Sequence, residues 1–260
     1  VARLPPAASV DRLIIMLSKL KVVGALEVEG LLEELTRRRY WVHPFNAERD
    51  TSKRFVNFYQ NILKTHRVKF KIYADDTQFY FPIESVDDAK GKINEIMQDI
   101  KTWMTSKKLK LNEDKTECII FGNEKEIKKV EHFQKIKIGK LAIDLKKSVK
   151  DLGVIIDSRL TMNEHINYVV KVCNYHIRNI AFIRKHLNEK SLRTLISNHI
   201  FSRLDYCNSL FYGLPNYQLK KIQRVQNRAA RLIKGLHNRD SITPSLIKLH
   251  WLPIKARIEY

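Results

Sequence analysis

Near Asp157 the hydrophobic period of this 260-residue sequence changes, and that change limits what the chain can become. From His66 onward, apolar Val68, Phe70 and Ile72 alternate with charged residues, and Gln78–Ile83 resumes a β-favouring run after Asp75-Asp76. Period two marks a strand, so this segment reads as strand, tight turn, strand. Ser85 and Asp88 then form a capping-box-like start. Ile93, Ile96, Met97, Ile100, Trp103 and Met104 follow at helical spacing. The polar turn NEDKT leads into a short strand, Glu117–Phe121; residues 124–148 suit a hairpin around Gly139, and Leu152–Ile156 reads as another strand. Beyond Asp157 the apolar steps are three and four. Thr161 and Glu164 should cap a helix bearing Ile166, Val169, Val170, Cys173, Ile177 and Ile180. Asn188 starts a second, Tyr217–Lys234 forms a third stopped by Gly235, and Thr243-Pro244 opens a fourth. Strands segregated from helices in this way imply an α+β fold.

Residues 1–65 read as a helical N-terminal segment. Leu13, Met16, Leu17 and Leu20 recur at helical spacing, Leu26–Leu35 suggests a second helix, and residues 52–64 carry Phe55, Phe58, Tyr59 and Ile62 on one face. The expected organisation is therefore 1–65, 66–160 and 161–260. No apolar run approaches the roughly 18 residues of a membrane span, so no membrane partner is expected. Three cysteines without a CxxC exclude a disulfide scaffold and a zinc-ligand pattern. The expected location is intracellular, nuclear or cytoplasmic. The opening Val1 and the closing Tyr260, inside an apparent helix, read as the ends of a fragment.

Charge narrows the partner. Lys and Arg total 48 against 28 Asp and Glu. The excess concentrates in residues 171–240, with 14 basic and 3 acidic side chains. Surfaces that only need solubility intersperse both signs, so a one-signed stripe is the footprint of a polyanion. On the helix Tyr217–Lys234, Leu219, Ile222, Val225, Ala229 and Leu232 form an apolar face, while Lys220, Lys221, Arg224, Arg228, Arg231 and Lys234 cluster elsewhere. Such a helix buries one side and offers phosphates the other. A packing helix with a solvated basic face is the alternative.

The tetrapeptide Tyr73-Ala74-Asp75-Asp76 carries the chemistry. Adjacent carboxylates at a bend repel unless solvated or bound to cations. Mg²⁺ prefers carboxylate oxygen, and a two-metal phosphoryl-transfer site needs several carboxylates to hold both ions. Asp-Asp is also a good turn pair in any hairpin. There is no Gly-rich phosphate loop and no nucleophile elbow, so no small-molecule cofactor is expected. Cys173 and His176 read as packing residues, Cys207 as core, and Trp103 and Trp251 as core anchors.

KIYADDTQFYFPI resembles the catalytic hairpin of reverse transcriptases from non-LTR (LINE-like, jockey-type) retrotransposons. WMTSKKLKLNEDKTECIIFG (103–122) is similar to the next palm motif, and VKDLGVIID (149–157) to the primer-grip hairpin. SRLDYCNSLFYGLP (202–215), IQRVQNRAARLI (222–233) and HWLPIKARI (250–258) resemble thumb and post-thumb helices. The resemblance implies a partial palm at 66–160, a helical thumb-like region at 161–260, and RNA-directed DNA polymerisation with Mg²⁺ on an RNA or DNA template–primer. It makes Asp75 a catalytic metal ligand, Asp76 a weaker one, and Lys115 the proton donor to departing pyrophosphate. Leu152 and Gly153 become primer-terminus supports. Lys115 also reads as an ordinary turn lysine.

Polymerisation of this kind needs a further carboxylate from a neighbouring palm strand. The family's D-x-x-x-A-F-D and P-Q-G motifs do not occur before Tyr73, and the upstream aspartates are Asp11 and Asp50. The chain is therefore expected to be inactive as a polymerase. A non-enzymatic basic nucleic-acid binder is the competing reading, and a chimeric gene product without function a third. LLEELTRRRYWVHPFNAERDTSKRFVNFYQNIL (31–63) resembles the N-terminus of Harbinger-type transposase-derived nucleases, without their acidic active site.

Overall fold

The computed structural model describes residues 13–18, 22–24, 60–73, 76–106, 109–111, 115–130, 135–138 and 141–260. The chain divides into two units between Asp151 and Leu152.

The first unit is built on a six-stranded sheet. Its strands are β1 (Leu13–Ser18), β3 (Lys69–Tyr73), β4 (Asp76–Ile83), β6 (Glu117–Phe121), β7 (Lys135–Ile138) and β8 (Leu141–Lys146), in the order β3-β4-β1-β6-β8-β7. A second ladder pairs β2 (Val22–Gly24) with β5 (Leu109–Leu111), and β9 (Ser148–Asp151) closes the unit. The expected hairpin is present: Tyr73 pairs with Asp76, leaving Ala74 and Asp75 as the connecting residues. Helix α1 (Val86–Ser106) starts as the sequence implies, with the Asp88 amide donating to Ser85 Oγ at 3.1 Å. Its Ile93, Ile96, Met97 and Ile100 are fully buried with Phe79 of β4, and Phe81 and Ile83 of the same strand are buried in the same core.

Two readings of this unit are corrected. Leu13–Ser18 is the central strand β1, not a helix, and it pairs antiparallel with both β4 and β6. A short apolar run fits either period. Here β4 and β6 each offer an edge whose hydrogen bonds only a strand can complete. Residues 124–148 contain the hairpin of β7 and β8, but also helix α2 (Glu124–Val130), whose Glu126 amide is capped by Asn123 Oδ1 at 2.9 Å. The proposed helix over 26–35 lies outside the described residues.

The second unit opens with β10 (Val154–Asp157) and is otherwise helical. Helix α3 (Asn163–Ile183) is followed by a 3-10 turn, Arg184–His186. Helix α4 (Glu189–Ile196) runs on through a π-helical segment, Ser197–Phe201, and a last turn, Ser202–Leu204. Then come α5 (Asn216–Lys234), α6 (Thr243–Lys248) and α7 (Ile254–Glu259). Ile166, Cys173, Ile196, Ile200, Ile222, Ala229 and Ala230 are completely enclosed at its centre. Asn188 Oδ1 caps α4 through the Ser191 amide at 2.8 Å, and Gly235, at φ 66, ends α5 in the left-handed turn that glycine favours.

Four local readings change here. Leu152 belongs to a turn rather than a strand: Leu152 (φ 42) and Gly153 (φ 89) are both left-handed. Thr161 is not the principal cap of α3, because the Asp157 carboxylate takes the Thr161 and Met162 amides at 2.9 and 2.7 Å. Cys207 is exposed in a left-handed turn instead of core. The buried face of α5 includes Gln218, Gln226, Ala230 and Ile233, with Leu219 and Leu232 only half-buried. The glutamines are tolerated because their amide Nε2 groups are bonded. Gln226 Nε2 donates to the Leu252 carbonyl at 2.8 Å, and Gln218 Nε2 reaches Asn163 Oδ1 at 2.7 Å.

Candidate nucleic-acid interface and acidic bend

Asp75 lies outside the described residues; Asp76 opens β4 directly opposite Tyr73. The strand beside that hairpin is β1. It runs antiparallel to β4, so its C-terminal end, with Leu17 opposite Phe79, approaches the bend while Leu13 sits far away opposite Ile83. The whole strand reads LIIMLS and carries no carboxylate. On the far side of β1, Ser18 pairs with Glu117, which is two strand spacings, about 10 Å, from β4. Glu117 is bound to Lys146 Nζ at 2.6 Å. Asp11 and Asp50 lie outside the described residues, and Asp11 precedes the end of β1 that pairs with Ile83. Among the described residues no group of three or more His, Cys, Asp or Glu side chains is arranged to hold a metal. Lys115 is exposed in a single turn before β6.

Leu152 and Gly153 are held by a residue that sequence reasoning did not single out. Tyr206 Oη donates to the Leu152 carbonyl at 2.5 Å. A Cβ on Gly153 would stand 3.4 Å from Tyr206 Cε1, so the ring lies flush against the turn. Tyr206 falls within the 202–215 stretch that resembles a thumb segment, but only tertiary structure shows that it grips the Leu152–Gly153 turn.

The basic residues of α5 separate by partner. Lys220 and Arg224 are exposed. Lys221 Nζ donates to Asn167 Oδ1 at 2.9 Å and Arg228 Nη1 to Asn174 Oδ1 at 2.8 Å. These neutral acceptors orient the cations without cancelling their charge. Lys234 is instead paired with Glu189 at 2.9 Å, and the half-buried Arg231 donates Nη2 to the Asp240 carbonyl at 3.3 Å. Lys234 and Arg193 together hold the Glu189 carboxyl below its ordinary range. Of the six expected phosphate-binding side chains, four therefore face outward with charge intact, and two are engaged within the fold.

Those bonds also orient the two long helices. Asn163, Asn167 and Asn174 of α3 meet Gln218, Lys221 and Arg228 of α5 in rising order, so the helices run parallel. At the far end Arg184 Nε donates to the Leu232 carbonyl at 2.7 Å, placing a cation at the negative C-terminus of α5. A cavity of about 300 Å³ nearby is lined by Arg193, Ser197, Phe201, Asp205, Trp251 and Arg257. Both of its guanidiniums are paired within the fold, Arg193 with Glu189, which it shares with Lys234, and Arg257 with Asp205.

The architecture is α+β, with the β3–β4 hairpin in one unit and a cation-bearing pair of parallel helices in the other. Against known proteins, the chain is 25% identical over 169 residues to an RNA-directed DNA polymerase from mobile element jockey of Drosophila melanogaster, covering 63% of this chain and 18% of that protein. It is also 25% identical over 169 residues to a probable RNA-directed DNA polymerase from transposon BS of the same organism, covering 62% of this chain and 18% of that one. At this identity the chain is similar to RNA-directed DNA polymerases of mobile elements, and it spans under a fifth of their length. No family model matches the chain. No solved structure matches it. The Harbinger-like stretch falls mostly outside the described residues, and no helix among the described residues is long and apolar enough to cross a membrane.

Proposed function

We propose that the chain is a palm-and-thumb portion of a non-LTR retrotransposon reverse transcriptase that binds template–primer and does not, by itself, transfer nucleotides. The observation that carries the binding is the row Lys220, Lys221, Arg224 and Arg228, charged outward on a helix whose other face is locked into the core. Phosphate contacts from such a row position a nucleic acid without reading its sequence. The turn Leu152–Gly153, gripped by Tyr206, supports the primer end in this reading, and Lys115 is free to reach a departing anion from its exposed turn.

The proposed inactivity rests on the acidic residues Asp75 and Asp76. A two-metal site positions attacking and leaving oxygens between ions held by several carboxylates. The strand nearest the bend contributes none, and Glu117 is held by Lys146. With no further carboxylate grouped beside them among the described residues, Asp75 and Asp76 in this reading form an under-liganded site that binds Mg²⁺ weakly.

Fluorescence anisotropy with a labelled RNA–DNA hybrid tests the binding. Affinity should fall steeply with salt, and K220A/K221A/R224A/R228A should weaken binding to all sequences alike, reducing the log–log salt slope by about one for each phosphate-binding cation removed. Binding insensitive to salt would make the row mere surface. Primer extension tests the rest: Asp75-dependent nucleotide incorporation by the purified chain would overturn the claim of inactivity.

A further inference from the structure

Helix α3 carries an aromatic pattern of its own. Tyr168, Tyr175 and Phe182 recur at steps of seven and are 43%, 54% and 86% exposed. Seven residues fall only about 20° short of two full helical turns, so these rings line up along one edge of the helix. Lys171 and Arg178 recur at the same step and are exposed, and Lys185 follows in the 3-10 turn beyond the helix end. From His165 to Asn188 there is no acidic residue.

Single exposed aromatics are common and need no explanation. Three in line, interleaved with cations and with no opposing charge, are a composite surface. Its place relative to α5 is fixed by the asparagine contacts. Asn167 and Asn174 face Lys221 and Arg228; one step round α3 come Lys171 and Arg178, and one step further the aromatic edge. Crossing from α5 to α3, a ligand would meet two rows of cations and then a row of ring faces.

We propose that this edge of α3 is a base-stacking platform for unpaired nucleotides of a single-stranded RNA or DNA segment, whose phosphates lie on Lys171, Arg178 and Lys185. The proposal rests on the nucleic-acid reading above and adds the form of the ligand. Every base has a π-face, so stacking on aromatic side chains is tolerant of sequence, but it requires bases that are not enclosed in a duplex. The rings are spaced about 10 Å apart along the helix axis, a rise of about three nucleotides of a stacked strand, so each ring takes one base in several. Charge complementarity selects this occupant: an apolar protein helix would have to bury the interleaved cations.

The test compares an unstructured RNA of about 16 nucleotides with a blunt RNA duplex of equal length, by anisotropy at fixed salt on the full chain. The variant Y168A/Y175A/F182A should lose at least about tenfold in affinity for the single strand while duplex affinity changes little. The salt slope should be unchanged, because no charge is removed. Since triple truncation of even exposed rings can disturb folding, Y168L/Y175L/F182L, which keeps apolar bulk without a π-face, should lose as much, and Y168F/Y175F should bind like the parent. Equal loss on both ligands, or no loss on the single strand, overturns the platform while leaving the salt-dependent binding of α5 standing. A parent chain that binds neither ligand overturns both.

Discussion

Asp157 shows how much one side chain organises at the entry to the helical unit. Its Oδ1 accepts from the Arg159 and Thr161 amides at 3.2 and 2.9 Å, and its Oδ2 from the Met162 amide at 2.7 Å and the Thr161 hydroxyl at 3.1 Å. Leu160 and Met162 within that loop are left-handed, at φ 55 and φ 59, which disfavours any side chain with a Cβ. The carboxylate holds that conformation in place while satisfying donors that α3 cannot satisfy internally. Asp157→Ala should therefore destabilise the chain by about 2 kcal/mol or more, read as a lower urea midpoint at unchanged slope. Asp157→Asn should cost less, since its amide oxygen still accepts. A midpoint unmoved by the alanine change would mean that water or Thr161 caps the loop as well. The sequence offered Thr161 for this role because it stands at the right offset before the apolar period. That the carboxylate four residues earlier folds back over the loop depends on the two left-handed residues, which no propensity of Leu or Met announces.

At the scale of elements, α3 meets the π-helical segment through two imidazoles. His176 and His199 stack with ring centroids 5.0 Å apart, and Tyr175 lies edge-on to His176 at 5.4 Å. Desolvation first, then the Arg203 guanidinium and His199, push the His176 pKa below its ordinary 6.5. A depressed histidine pKa means that the folded state binds fewer protons than the unfolded one as pH falls through that value. Its contribution is then fully present above about pH 6.5 and lost as pH drops toward the lowered value. The urea midpoint should decline from pH 7 to pH 5, and His176→Phe should lessen that decline; an equally steep decline in the variant would place the titration elsewhere. The same region shows what periodicity can and cannot reveal. Leu192, Ile196, Ile200 and Leu204 sit at steps of four, and the helix they define is continuous; the π-segment inside it leaves no trace in an apolar pattern that fits both windings. The hairpin Tyr73–Asp76, the capping box of α1 and the glycine stop of α5 were legible because each rests on local chemistry. Strand β1 was not, since its hydrogen bonds go to strands more than sixty residues away in sequence.

At the scale of the whole molecule, the two apolar cores share no residue among those described. One gathers around α1 and the sheet, from Leu63 to Ile143; the other lies among α3 to α7, from Val154 to Ile254. Hydrophobic stabilisation scales with area removed from water, so each core stabilises the unit that buries it. The helical unit also keeps its own polar fastenings. Arg184 on the α5 terminus, Arg257 on Asp205 at 2.5 Å, and the Gln223 Oε1 that accepts the Ile254 amide at 2.8 Å all join residues beyond Leu152. Residues 152–260 expressed alone should therefore be folded. The expected result is a strongly helical far-UV spectrum, a single cooperative urea transition and persistent near-UV signals from the packed Trp251–Phe201 pair, whose ring centroids lie 4.4 Å apart. Because the cations of α5 and the aromatic edge of α3 both lie in this unit, the fragment should also retain salt-dependent nucleic-acid binding. A fragment with helical signal but no near-UV signal and strong dye binding would be a molten globule. That result would show that the helical core takes its unique packing from the sheet unit, and the basic surface would then need the whole chain to exist.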